Sequence, residues 1–310
     1  MRVTGNAFSD SLVNQLNLLA SRQYNLQNQV ATGQRIQAPE DDPVAMQRVM
    51  DLRAQNNNVG QYSRNIAMLK DRANIAFDAV KSVKTILDRA GEIATLADGT
   101  RATEELKTYG NELTQLIQQA AQLLNVKDRG QYIFSGTASD QAAFVVNTDS
   151  NGAVTAVTYQ GNTSVSGADI ETNTNLSVDV PGENNSGSGV RGLVADSRFG
   201  ADLFNHLITL QNHLLSGDTA SIAATDRSAL AKDEENMLYH IGLNGTTQTR
   251  LETASAFAEK RSLSIQQMIS KEADADMAQT LVSLKQTQTA YEAALQSSAG
   301  LLKMSLLDYV

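Results

Sequence analysis

The sequence predicts a mainly α chain with a small β insert. The expected architecture is an elongated antiparallel helical bundle or coiled coil, with paired N- and C-terminal helices and one β domain inserted mid-chain. Three observations lead there. Residues 6–32 and 274–308 are both long, sparsely charged amphipathic segments. Apolar stripes at alternating four-three spacing recur through the segments between them. Residues rich in Val, Thr, Asn and Gly are confined to the middle of the chain.

The first helix carries Leu12, Leu16, Leu19, Gln23, Leu26 and Val30 on one stripe. The last carries Met277, Leu281, Leu284, Gln288, Tyr291, Leu295, Ser298 and Leu302. Gln, Asn, Ser and Ala flank both stripes. Helices of this kind are marginal alone and need a partner. The candidate partners are each other and copies of the same chain. Gly33 suits the left-handed position that ends a helix, and Asp42-Pro43 suits a helix start, with an N-cap acceptor ahead of a residue of fixed φ. A helix from Pro43 to about Asp98 would be roughly 84 Å long. Its stripe runs Ile66, Leu69, Ala73, Ala76, Val80, Val83, Leu87, Ala90, Ala94 and Ala97. A second helix is expected from about Thr103 to Lys127, with Leu106, Tyr109, Leu113, Leu116, Ala120 and Leu123 on one face. These central stripes suit intrachain packing as well as a coiled-coil seam.

The texture changes at Gly130. Residues 139–182 read as a small β module, with a hairpin at Asn151-Gly152 and a strand over Leu176–Val180. Glu183 to Gly192 reads as a flexible return. Helices are then expected near Asp196–Ser216 and over Thr219–Lys271, the latter eased at Gly242 and Gly245. The division expected is 1–42 with 272–310 as a terminal helical pair, 43–138 with 196–271 as a helical rod, and 139–195 as a β-rich outer module.

Composition bounds function. The chain has 310 residues, a formal charge of −9, no Cys and no Trp. That charge and the lack of a basic run argue against nucleic-acid binding. Zero Cys excludes disulfides, thiolate catalysis and Cys-ligated metals. The start lacks the apolar core of a cleaved signal peptide, and no run approaches the length of a membrane span. His206 and His213 stand seven apart, too far for the usual helical metal pair. Glu40-Asp41-Asp42 reads as a capped turn, salt-bridged by Arg35 or Arg48. No catalytic, cofactor or metal site is expected, and the chain is not read as an enzyme.

Ala31-Thr32-Gly33-Gln34-Arg35-Ile36, followed by Pro39 and Asp41-Asp42-Pro43-Val44-Ala45, resembles the amino-terminal signature of the bacterial flagellin superfamily. Glu272-Ala273-Asp274-Ala275-Asp276-Met277-Ala278 resembles its carboxy-terminal signature. Within that superfamily, Gly130–Gly136 and the tail Ser305-Leu306-Leu307-Asp308-Tyr309-Val310 are similar to the hook–filament junction family. Tyr159-Gln160-Gly161-Asn162 and Val180-Pro181-Gly182 fit that family's β region. Asn162 stands where an Asp is commoner, and Val310 where a Leu is.

The resemblance implies a structural subunit of the flagellum, with a filament flagellin as the alternative. It implies export by the flagellar type III apparatus, a cytoplasmic stage before export, and an extracellular place at the hook–filament junction. The implied partners are copies of itself, hook-associated protein 1 on the hook side, flagellin and the filament cap protein on the distal side, and an export chaperone. Leu12, Leu16, Leu19, Leu26 and Val30, with Met277, Leu281, Leu284, Tyr291, Leu295 and Leu302, are the expected assembly seam.

Overall fold

The computed structural model describes the backbone of residues 3–307 and the side chains of residues 10–299. The chain forms two compact units, Met1–Asn58 with Arg261–Val310, and Val59–Lys260. Helices dominate: α1 (Val3–Thr32), α2 (Pro43–Leu96), α3 (Thr103–Leu124), α4 (Leu203–Ser216), a short α5 (Thr219–Ser221), α6 (Arg227–Ala273) and α7 (Met277–Leu307). The predicted helices are present, with shifted ends. Gly242 and Gly245 do not interrupt α6. Its start is instead marked by a π-helical turn over Ile222–Asp226.

In the first unit, α1 packs against α7, and the head of α2 lies along the tail of α6. Arg48 pairs with Glu272 at 3.2 Å, and Ser262 donates to Asn56 at 2.9 Å. Ile36, Ala45, Val49, Ile265 and Ala273 are buried there.

In the second unit, α2 and α6 run antiparallel. Lys70 pairs with Glu252, Asn244 donates to the Ala73 carbonyl, Lys84 pairs with Glu234, and Arg227 donates to the Ala94 carbonyl. α3 and α4 close the core over the apolar face of α2, which includes Val83, Leu87, Ala90 and Ile93. Burial of such a face supplies most of the stability of a long helix. One polar bridge crosses this core: Thr114 Oγ1 donates to Gln211 Oε1 at 3.0 Å, and Gln211 Nε2 donates to the Val154 carbonyl at 3.0 Å. Both side chains are satisfied, as burial requires.

The β-rich segment belongs to the second unit. β1 (Lys127–Asp128) and β2 (Gln131–Tyr132) make a tight hairpin whose turn holds Arg129 at φ 49° and Gly130 at φ 86°. β3 (Phe144–Thr148) pairs antiparallel with β4 (Val154–Tyr159), Phe144 opposite Tyr159. The Asn151-Gly152 turn expected between them is present. Asp149 Oδ1 closes it, accepting from the amides of Asn151 and Ala153 at 2.9 Å each. β5 (Ala168–Glu171) pairs with β6 (Thr174–Leu176), and Ile170 and Val178 pack with Ile66, Leu69 and Leu251.

Three expectations are corrected. The strand expected over Leu176–Val180 ends at Leu176, because Asp179 leaves the ladder to pair with Arg72. The return over Glu183–Gly192 is folded around Asn184, whose Nδ2 donates to the Ser188 and Val190 carbonyls at 2.7 and 2.6 Å. Its first residues form β7 (Glu183–Asn184), which pairs parallel with β8 (Ala195–Asp196), and β8 pairs antiparallel with β9 (Ala201–Asp202). The helix expected from Asp196 therefore begins at Leu203. Asp196 is fully buried and binds Arg198, and Gly200 takes φ 68°, which a right-handed helix cannot accommodate.

Candidate assembly surface

The two terminal helices present their stripes differently. In α1, Leu12, Leu16, Leu19, Gln23, Leu26 and Val30 are half-buried, while Val13, Leu18 and Tyr24 are exposed. In α7, Leu284, Gln288 and Tyr291 are half-buried, and Ser298 is buried. Met277, Leu281 and Leu295 of the same expected stripe are exposed, as is Val282. Thr280 and Thr287 are buried in their place. A small hydroxyl can be buried because it donates back along its own helix. Thr280 Oγ1 donates to the Asp276 carbonyl at 2.7 Å, Thr287 Oγ1 to Ser283 at 2.8 Å, and Ser298 Oγ to Ala294 at 2.6 Å. The helix pair therefore closes on a narrow seam of mixed character. A second set of apolar side chains is left in solvent on each helix. The side chains of Leu302, Leu306 and Leu307 lie outside the described residues, as do Asp308 and Tyr309.

The two linkers between helices are laced together. Gly33, at φ 71°, ends α1, and its amide closes on the Gln29 carbonyl at 2.8 Å. Gln34 and Asp274 then form an antiparallel bridge. The Arg35 amide donates to the Ala273 carbonyl at 2.7 Å, and the Ala275 amide donates to the Gly33 carbonyl at 2.8 Å. Arg35 Nη2 reaches the Glu272 carbonyl at 2.8 Å, and Nη1 stands 3.5 Å from Asp42. Ile36, the apolar residue of the signature, is buried.

Each acid has its own task. Asp41 accepts from the Gln37 and Ala38 amides at 2.9 and 3.0 Å, and these hold its carboxyl below the usual range. Asp42 caps α2 through the Ala45 amide at 3.0 Å, which lowers its pKa with help from Arg35. Pro43 is the first residue of α2, as expected. Asp276 caps α7 through the Ala278 and Gln279 amides, and Asp274 accepts from the Ser270 hydroxyl. Of the two arginines expected at the acidic turn, Arg35 is there, and Arg48 pairs with Glu272 instead. No local spacing signals that partner, which stands 224 residues away.

The family-like motifs of the second unit converge on one knot. Tyr159 Oη lies 3.0 Å from the Phe134 and Asn162 carbonyls and accepts from the Gly182 amide at 3.1 Å. Burial pushes this phenol up to about 12. The Asn162 amide donates to the Ser135 carbonyl, and its Oδ1 accepts from the Thr137 and Ser164 amides at 3.1 Å. Gly136, Gly161 and Gly182 permit the close approach. A Cβ at these positions would stand 2.3 Å from the Asn162 carbonyl, 2.4 Å from the Tyr159 hydroxyl and 2.6 Å from Phe144, respectively. The Phe144 ring, 5.3 Å from Tyr159 and 5.2 Å from Phe204, joins the knot to the core.

Both histidines of α4 are paired, each with a buried carboxylate of the chain that leads into and forms α6. His206 Nδ1 lies 2.7 Å from Asp233, and His213 Nδ1 lies 2.7 Å from Asp226. The bond to Asp233 raises the His206 pKa. Asp233 also accepts from the Asp202 amide at 2.8 Å, and among the described residues no group of three His, Cys, Asp or Glu side chains is arranged to hold a metal. Among the same residues, no helix is long and apolar enough to cross a membrane.

Residues 3–139 match the model of the bacterial flagellin N-terminal helical region. The chain is 23% identical over 294 residues, 90% of each chain, to flagellar hook-associated protein 3 of Escherichia coli (strain K12). A solved structure from Vibrio parahaemolyticus, described as a flagellar hook-associated protein, superposes with a TM-score of 0.63 at 20% identity, covering 76% of this chain and 100% of its own. FlgL of Bacillus cereus superposes with a TM-score of 0.56 at 16% identity, covering 71% and 99%. The chain thus has the fold of these hook-associated structures, and it is similar to the flagellin N-terminal helical region over residues 3–139 and to flagellar hook-associated protein 3 along 90% of its length.

Proposed function

We propose that this chain is a structural, non-enzymatic subunit of the bacterial flagellum that joins the hook to the filament. The observation that carries the reading is the terminal helix pair. After α1 and α7 have packed on each other, Val13, Leu18, Tyr24, Leu281, Val282 and Leu295 remain in solvent. Val13 and Tyr24 share one face of α1, and Leu281 and Leu295 one face of α7; exposed apolar faces of this kind suit contacts between copies stacked side by side. The similarity to flagellar hook-associated protein 3 over 90% of the chain supports the same role.

In this account assembly is coupled to folding. The ends order fully only when neighbours cover them. The seam comprises Leu12, Leu16, Leu19, Leu26 and Val30 of α1, and Met277, Leu281, Leu284, Tyr291, Leu295 and Leu302 of α7. The laced turn at Gly33, Arg35 and Asp274 fixes the angle at which the pair leaves the rest of its unit. The partners are copies of itself, hook-associated protein 1 toward the hook, flagellin and the cap protein toward the filament, and an export chaperone before secretion through the type III apparatus. The β-rich segment projects toward solvent.

Deletion of the gene in its host tests the role. Bare hooks with flagellin monomers shed into the medium are expected. Normal filaments would refute it. Hydrogen exchange of the purified monomer tests the coupling. Fast exchange at the amides of residues 3–32 and 277–307 is expected, and strong protection there would refute coupled folding.

A further inference from the structure

In the Val59–Lys260 unit, Arg191 is held as a flat, open fork. Its guanidinium lies 3.6 Å from the Phe199 ring centroid and 4.4 Å from that of Tyr239. Its Nε donates to Asn236 Oδ1 at 2.6 Å. Asn236 is fully buried, and its Nδ2 donates to the Gly192 and Leu193 carbonyls at 3.1 and 2.6 Å. One turn along α6, His240 Nε2 donates to the Gly192 carbonyl at 3.0 Å. The two side chains of α6 thus fix residues 191–193, and through them the plane of the guanidinium. The terminal nitrogens of Arg191 donate to nothing among the described residues. Arg198 differs: its Nε, Nη1 and Nη2 are all committed, to Asp196 and to the Gly189 carbonyl.

Two part-exposed rings flank the open fork: Phe199 is 48% exposed and Tyr239 45%. Lys232 lies over Gly200 without an acidic partner among the described residues. An arginine that only covered a hydrophobic surface would leave its rings shielded. Here the rings remain in water and the fork is unsatisfied. A guanidinium fixed in plane matches a carboxylate by two parallel hydrogen bonds.

We propose that this platform docks a second copy of the chain, which sets a side-chain carboxylate on the Arg191 fork and apolar atoms over Phe199 and Tyr239. Charge complementarity selects that occupant. The chain carries 34 acidic against 25 basic residues, a net charge of −9, so a second copy brings an excess of carboxylates to the unpaired guanidinium of Arg191. The contact is additional to the terminal-helix seam and does not rest on it.

Hydroxyl-radical footprinting of the full chain at about 10 μM and about 1 mM tests the proposal across the range of weak self-association. Labelling of Phe199 and Tyr239 should fall about threefold or more at the higher concentration, as expected when rings enter an interface core. The protection should persist in Leu295→Asp, which disables the terminal seam. It should be lost in Arg191→Ala, and in Arg191→Lys, which keeps the charge without the fork. Equal labelling at both concentrations overturns the proposal. So does protection retained in both Arg191 variants, or protection that appears only when a different protein is added. Loss of protection in Leu295→Asp alone would assign the burial to the terminal seam and also overturn it.

Discussion

Arg35 Nη2 donates to the carbonyl of Glu272 at 2.8 Å, joining the linker after α1 to the last turn of α6, 237 residues away in sequence. The same guanidinium stands beside Asp42, the N-cap of α2. One side chain thus ties the end of α6 to the start of α2, next to the bridge between Gln34 and Asp274. The residues that read as family signatures are therefore a clamp, with their polar groups spent on one another.

The clamp predicts modest, separable losses. Arg35→Ala should cost the first unit about 1 kcal/mol or less, because the guanidinium is substantially exposed. Gly33→Ala should cost about 1 kcal/mol from backbone strain alone, since a Cβ there meets no atom within 4 Å. Denaturant unfolding measures both, with amide exchange at Ala275 as the local readout. An Arg35→Ala protein as stable as the parent would mean that water replaces the guanidinium.

The knot around Tyr159 predicts a sharper loss. Tyr159→Phe removes the hydroxyl donor beside the Phe134 and Asn162 carbonyls, while the Gly182 amide keeps its bond to the Phe134 carbonyl at 2.9 Å, and should cost about 1–2 kcal/mol. Asn162→Asp should change stability by less than about 1 kcal/mol, because its oxygens still accept from the Thr137 and Ser164 amides. The Thr137 hydroxyl, which accepts from Asn162 Nδ2 at 3.0 Å, can turn to donate. Thermal unfolding of both variants checks the contrast.

Arg72 and Asp179 form a buried pair, with side chains 14% and 8% exposed. Burial raises the Asp179 pKa, and Arg72 draws it back. Arg72→Leu leaves that carboxylate alone and should cost about 3 kcal/mol. The double variant Arg72→Leu with Asp179→Leu should recover most of the loss. A double-mutant cycle with no coupling would contradict the pairing.

Glu183 gives a pH signature. Burial, with Asp202 nearby, pushes its carboxyl up to about 7 from 4.5. The folded pKa lies above the unfolded one, so Glu183 is neutral at no cost below about pH 4.5. Stability is then lost as pH rises toward 7, because the unfolded chain ionises first. Glu183→Gln should stabilise the protein at pH 8 by about 1–2 kcal/mol, discounted for partial exposure, and leave it unchanged at pH 4. His240 acts oppositely. Burial depresses it to about 4, so its contribution is intact above pH 6.5 and is lost as pH falls toward 4. Unfolding of parent and variant at pH 4, 6 and 8 separates the two.

Much of the helical architecture was legible in the sequence, because period, caps and turn residues agree. Asp42 caps where Pro43 begins a helix, Gly33 is left-handed, and Asn151-Gly152 turns a hairpin. The failures have physical causes. Residues 196–202 carry no Pro to forbid a helix, yet the burial of Asp196 against Arg198 commits them to a strand and turn. Lys127–Tyr132 was missed because two-residue strands leave no period to read. In α7, an apolar criterion cannot foresee that Thr280 and Thr287 face inward while Leu281 and Leu295 face out. Their hydroxyls are satisfied within the helix, so burying them is cheap. Side chains turned toward α1 and side chains left in solvent thus share one apolar period along α7.

The most direct test of the central claim uses Leu295, 44% exposed on α7. Leu295→Asp should leave the helical signal and unfolding midpoint of the purified monomer essentially unchanged, since the side chain is already in water. In the host, the same substitution should abolish hook-attached filaments, because a charge buried without a partner between copies is costly. Normal filaments on cells carrying Leu295→Asp would contradict the account, and the exposed face of α7 would then not be the surface by which the subunits join.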